Sequence, residues 1–183
     1  MRKIAAGLFV SLDGVTESPE KWHFSYFSDE MGAAVGAQMA AADTMLLGRR
    51  TYEEFAGYWP SQAGTGSQLA DQMNDTPKLV VSTTLDKVEW QNSTLIKDNV
   101  VEELTKLKEQ PGKDISITGS ATLVRSLLRA GVLDELRLLV HPIVVGSGRR
   151  LFEDGGDQVP LKLIDSQTFE TGVLYLTYAP ADK

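Results

Sequence analysis

Residues 114–152 read DISITGSATLVRSLLRAGVLDELRLLVHPIVVGSGRRLF, which spells strand, glycine turn, helix, strand and a second glycine turn. Ile115 and Ile117 alternate with polar neighbours, as strand residues do. Gly119, Ser120 and Ala121 make a small-residue turn. Leu123, Val124, Leu127 and Leu128 recur at helical spacing, and Gly131 stands where a helix-terminating glycine belongs. Leu136, Leu138 and Val140 then alternate as a second strand. A strand that ends in glycine and feeds a helix leaves free N–H groups at the helix start. Those groups, with the positive end of the helix dipole, form a phosphate site.

Two more strand ends carry similar chemistry. The apolar Thr44–Leu47 runs into Gly48-Arg49-Arg50-Thr51 and a predicted helix from Tyr52 to about Tyr58. Guanidinium forks match phosphate oxygens, and positive charge at a helix start opposes the dipole, so Arg49 and Arg50 call for an anion. The competing reading is a solvated helix terminus. Thr51 and Glu54 have the spacing of a capping box, and so do Asn99 and Glu102 before a helix to Lys108. The strand Lys78–Val81 ends in Ser82-Thr83-Thr84, either a hydroxyl cluster for phosphate or a simple turn. A nucleotide with several phosphates, laid across the carboxyl ends of a sheet, needs about this set.

Outward from these motifs, residues 4–12 read as a buried strand, 13–28 as an aromatic-rich loop and 29–42 as a helix with many small residues. Residues 69–73 read as a short helix, and strands are expected at 78–82 and 94–96. Leu161–Phe169 and Val173–Tyr178 form a terminal hairpin around Glu170-Thr171-Gly172. Strands alternating with helices and closing in a hairpin predict a three-layer α/β domain spanning 1–183. Its central sheet is mostly parallel, with helices on both faces and a C-terminal antiparallel hairpin.

The composition excludes several functions. A formal net charge of −7 with no basic run argues against nucleic acid and against an anionic membrane surface. The absence of cysteine excludes disulfides, zinc ribbons and thiol nucleophiles. His23 and His141 are the only histidines, and without a carboxylate pattern beside them no metal site is expected. The apolar start reaches Asp13-Gly14 without a small-residue cleavage site, so it reads as a strand rather than a signal peptide, and the expected location is cytoplasmic. Gly146-Ser147-Gly148 lacks the third glycine and the following βαβ unit of a dinucleotide fingerprint, so it reads as a turn at the pocket mouth.

Several blocks, in this order and spacing, carry a resemblance that covers nearly the whole chain. They are Val10-Ser11-Leu12-Asp13-Gly14, Asp43–Tyr52 and Gly119-Ser120-Ala121-Thr122-Leu123, followed by Asp134-Glu135-Leu136, Pro142 and Gly146-Ser147-Gly148 before Leu151-Phe152. The chain resembles the dihydrofolate-reductase-like superfamily, and within it most closely the reductase domain of the bifunctional riboflavin-biosynthesis deaminase/reductase. The resemblance implies NADPH as cofactor, hydride transfer to a pterin-, pyrimidine-, carbonyl- or imine-type small molecule, and a homodimer. Arg49 matches the family's phosphate-contacting arginine. Gly48, Arg49, Arg50 and Thr51, with Ser82, Thr83 and Thr84, are expected at the adenosine 2′-phosphate. Gly119, Ser120, Ala121 and Thr122 are expected at the pyrophosphate, and Asp13, Trp22, Thr118, Val145 and Gly146 at the reacting end.

The departures from the family lie in the substrate half. The zinc deaminase domain is absent, and Thr118 stands where the riboflavin enzymes carry a glutamate. No residue stands out as proton donor, so water would serve. The main alternative is a nucleotide-binding protein without catalysis on the same fold. A flavin-dependent reductase would reveal itself by colour. A hydrolase is disfavoured because there is no Gly-x-Ser-x-Gly motif.

Overall fold

The computed structural model describes residues 1–182. Eight strands form one sheet: β1 Ile4–Ser11, β2 Ala42–Gly48, β3 Lys78–Val81, β4 Ser93–Ile96, β5 Asp114–Thr118, β6 Glu135–His141, β7 Leu161–Thr168 and β8 Leu174–Pro180. Five α-helices connect them: α1 Asp29–Ala40, α2 Arg49–Tyr58, α3 Gln68–Asp75, α4 Val100–Glu109 and α5 Ala121–Arg129. The strand order is β4-β3-β2-β5-β1-β6-β8-β7. All neighbours from β4 to β6 are parallel, and β8 and β7 are antiparallel. The three-layer α/β architecture expected from the sequence is what forms.

Side-chain alternation assigns the two faces. Ile4, Ala6 and Leu8 of β1 join Ile115, Ile117 and Leu136 under Leu104 of α4 and the apolar stripe Leu123, Val124, Leu127 and Leu128 of α5. On the opposite face Met45, Leu47 and Val80 meet Tyr52 of α2 and Met73 of α3. Further along that face, Met31 of α1 packs with Leu139, Phe169 and Val173. Strand β5 returns between β2 and β1, so the chain reverses its lateral direction in mid-sheet. The carboxyl ends of β2, β5 and β1 therefore open side by side, where such sheets bind ligands.

Both capping boxes expected from the sequence are absent. Helix α2 begins at Arg49 with Gly48 as N-cap, which places Thr51 inside the first turn. A glycine at 48 lets β2 run directly into the helix, with no side-chain cap. Asn99 caps α4 by position only: its backbone is left-handed (φ 51°) and its side chain makes no cap bond. Glu102 pairs instead with Lys106, at 2.8 Å. The aromatic loop also contains two 3-10 turns, Pro19–Lys21 and Phe24–Tyr26, which the sequence reading did not anticipate.

Among the described residues no helix is long and apolar enough to cross a membrane.

Candidate active site

The β2–α2 and β5–α5 turns are joined by one hydroxyl. Ser120 Oγ accepts the Gly48 N–H at 2.9 Å and donates to Thr51 Oγ1 at 2.8 Å. Ser120 has left-handed backbone (φ 55°) and follows Gly119 (φ 70°). Two successive left-handed residues swing the serine away from its own helix, so no side chain caps α5. The free N–H groups at the start of α5 stay directed at the space beside Gly119. A Cβ on Gly48 would sit 3.2 Å from Ser120 Oγ, so glycine there is what permits the close approach of the two turns.

These turns form one wall of a cleft of about 1490 Å³. Gly48, Arg49, Arg50, Thr51, Thr118, Gly119, Ser120, Ala121 and Thr122 all line it. Arg49 is half-exposed and its Nη1 donates to Glu53 at 3.0 Å, one turn along α2. That pairing across a solvated surface is weak, and the guanidinium remains accessible to a phosphate.

The remaining candidates lie elsewhere. Ser82 is buried at the end of β3 and its hydroxyl accepts from the N–H groups of Thr84 and Leu85. The 82–84 hydroxyl cluster thus closes a turn and is outside the cleft lining. Asp13 is also outside it. Its carboxylate accepts from Ser11 Oγ at 2.5 Å, Gly146 N at 2.9 Å and Val145 N at 3.1 Å. The Ser11 hydroxyl first, then those two amides, hold the Asp13 carboxyl down at about 2. Asp13, Val145 and Gly146 therefore tie the 11–18 segment to the 143–151 segment, an arch continued by the Val15–Arg150 bridge. Trp22 is buried behind the cleft, where its Nε1 donates to the Glu17 carbonyl at 3.2 Å.

Some cleft residues escaped the sequence reading. Gly7 lies opposite Thr118 on one side and Arg137 on the other. A Cβ at residue 7 would collide with Gln38 Oε1, and Gln38 Nε2 donates to Tyr175 Oη at 2.8 Å. A glycine inside an apolar strand signals close approach of another group, so Gly7 was the available clue. Arg125, Arg149 and Arg150 also line the cleft, with Glu153, Glu17 and Asp13 as respective ion partners. In a chain of net charge −7, this opening gathers arginines from separate elements, and Glu17, Glu20, Glu54, Asp114 and Glu153 line it beside them. No single motif announces it, because the arginines come from α2, α5 and the 146–152 turn.

Val35, Gln38 and Met39 of α1, Phe55 of α2, Trp59 of the following turn, and Ala5, Gly7 and Ser116 of the sheet also line the cleft. Among the described residues, no group of three or more His, Cys, Asp or Glu side chains is placed to hold a metal.

Comparison with known proteins agrees with this geometry. The model of the RibD C-terminal domain family matches residues 2–175. The uncharacterized protein YyaP of Bacillus subtilis is 33% identical over 180 residues, spanning 97% of this chain and 94% of YyaP. Solved structures that share the fold include the following two. One is the deaminase/5-amino-6-(5-phosphoribosylamino)uracil reductase of Thermotoga maritima, with TM-score 0.68 and 12% identity, covering 98% of this chain and 57% of that one. The other is the dihydrofolate reductase of Enterococcus faecalis complexed with NADP(H), with TM-score 0.63 and 17% identity, covering 98% and 97%. A match over almost the whole sequence, on a chain whose paired strand-end turns are built as described, places it within the reductase-like RibD C-terminal domain family.

Proposed function

We propose that the protein is an NADPH-dependent reductase that transfers a hydride to a carbonyl or imine carbon of a small heterocyclic substrate. The observation that carries this reading is the pair of linked turns at the mid-sheet reversal. The uncapped start of α5 offers N–H groups to a pyrophosphate, and Arg49, across the Ser120 bridge, offers a guanidinium to a 2′-phosphate. The NADP(H) in the dihydrofolate reductase of the same fold supports the choice of nucleotide. The nicotinamide would lie toward Gly7 and Thr118, and the substrate ring between α1 and α2. The protein's contribution is then orientation of two planar rings and exclusion of water.

The test is titration of NADPH and NADH into the wild type and Arg49→Ala. A guanidinium–phosphate contact contributes about 1.5–3 kcal/mol, so the variant should lose roughly ten- to a hundredfold in NADPH affinity. Affinity for NADH should stay within about twofold. Equal loss for both nucleotides would remove Arg49 from the 2′-phosphate.

The same reading includes a homodimer formed through the exposed edge strand β7, where Leu163 and Ile164 face solvent. Light scattering should give a dimer for the wild type and a monomer for Ile164→Lys, since a charge on an edge strand blocks pairing. A monomeric wild type would refute the pairing.

A further inference from the structure

The cleft wall includes one ring of an aromatic cluster that holds both histidines of the chain. His23, between the two 3-10 turns, lines the cleft and is 7% exposed. Its ring is clamped between Phe9 and Phe24, each with its centroid 4.4 Å away. Behind it, fully buried, lies His141 at the end of β6, 5.9 Å away and nearly perpendicular. His141 Nδ1 is 2.8 Å from the Leu139 carbonyl and must carry a proton to donate to it, which leaves Nε2 as a bare lone pair. Neither His141 Nε2 nor His23 Nδ1 has a hydrogen-bond partner. A buried polar nitrogen without a partner costs about 1–3 kcal/mol, and here the chain carries that cost twice in adjacent rings.

Packing alone would be served better by two more phenyl rings, as the neighbours Phe9, Phe24 and Phe27 illustrate. We infer that His23 is the proton donor of the reduction, held in place by Phe9, Phe24 and His141. The inference rests on the reductase reading above. In the step itself, hydride from the nicotinamide forms a C–H bond at the carbonyl or imine carbon. The π pair moves to the oxygen or nitrogen, and a ring N–H of protonated His23 gives that atom its proton. NADP⁺ and neutral imidazole remain, and solvent returns the proton to the ring. Phe9 belongs to the same face of β1 as Gly7 and next to it on that face, so His23 sits beside the place assigned to the reacting atoms.

Other acidic groups on the cleft wall are engaged or exposed. Glu17 pairs with Arg149, Glu153 with Arg125 and Asp114 with Arg137, and Glu54 is exposed. The groups facing His23 are His141 on β6, Glu20 on the first 3-10 turn, and the aromatic rings. Burial first, then His141, holds His23 below the ordinary histidine range, with Glu20 opposing. The imidazolium is therefore the minor form at neutral pH and grows as pH falls. Turnover should rise below about pH 6.5 and level off once the ring is protonated.

The experiment follows the two imidazoles of the full chain by NMR through a pH titration, with and without NADP⁺. In parallel, NADPH oxidation is measured from pH 5 to 8 with 7,8-dihydrofolate as imine probe and phenanthrenequinone as carbonyl probe. His23 should titrate, and its signals should move with NADP⁺, while His141 stays silent. His23→Gln should bind NADP⁺ within about twofold of wild type, lose about a hundredfold in kcat on any probe turned over, and lose the acid-side rise. His23→Phe should do the same, separating ring packing from proton donation. Failure of NADP⁺ to bind the wild type would refute the reductase reading itself. Binding that leaves the His23 signals unmoved would overturn this inference alone, and so would a His23→Gln enzyme with wild-type rate and pH profile.

Discussion

Gly119→Val is expected to abolish NADP(H) binding, by more than a hundredfold, while the protein stays folded. Residue 119 has φ 70°, a region in which a β-branched side chain is strained by roughly 1–2 kcal/mol. A Cβ there already sits 3.4 Å from Thr51 Oγ1, so the added methyls of valine must turn either against Thr51 or into the space over the start of α5. The first direction pushes apart the Ser120–Thr51 hydroxyl link, and the second occupies the place of the pyrophosphate. Either way the two turns cease to act as one site. Titration with NADPH, beside a thermal melt showing a loss of only a few degrees, checks this. Retained nucleotide affinity in Gly119→Val would move the pyrophosphate away from α5.

The second large effect concerns stability. Lys78 on β3 is fully buried, yet it is a cation. Its Nζ donates to the carbonyls of Asn74 at 2.6 Å and Gln91 at 3.1 Å, and stands 3.9 Å from the centre of the Trp90 ring. It thereby joins the end of α3 to the loop leading into β4. Lys78→Ala removes two charge-assisted hydrogen bonds and a cation–π contact and opens a cavity, at an expected cost of about 3–5 kcal/mol. Chemical denaturation measures this directly, and a loss under 1 kcal/mol would contradict it.

The pH dependence has a definite sign. Burial pushes the Lys78 ammonium down to about 8 in the folded protein, against 10.5 when free, and nearby Asp75 opposes that shift. Between those values the unfolded chain binds more protons than the folded one. Wild-type stability relative to Lys78→Ala should therefore rise as pH increases from about 8 to 10.5, and stay flat below that window.

The sequence exposes the architecture more fully than the site. Strand and helix alternation, the switch at Gly119 and the terminal hairpin are local patterns, and they form within a residue or two of their expected bounds, except that α2 starts three residues early, at Arg49 rather than Tyr52. The phosphate-compatible turns at Gly48 and Gly119 are legible for the same reason. What stays hidden is long-range. Ser120 reads as part of a pyrophosphate turn, and nothing local shows that its hydroxyl bridges to Gly48 and Thr51, contacts that exist only once β2 and β5 lie side by side. Asp13 and Trp22 look available to a substrate, and tertiary hydrogen bonds engage both. Lys78 resembles any surface lysine until α3 and the 85–92 loop close over it. His23 and His141 lie far apart in the sequence and come together only through the packing of the aromatic loop on β1 and β6. Gln38 sits among small residues on α1 and gives no hint that it will lie on Gly7.

The most direct measurement is a crystal structure of the protein with NADP⁺. The pyrophosphate is expected on the amides that begin α5 beside Gly119, the 2′-phosphate within hydrogen-bond distance of Arg49, and the nicotinamide toward Gly7 and His23. A nucleotide bound in the reverse direction, or at another surface with the cleft left open, would contradict it.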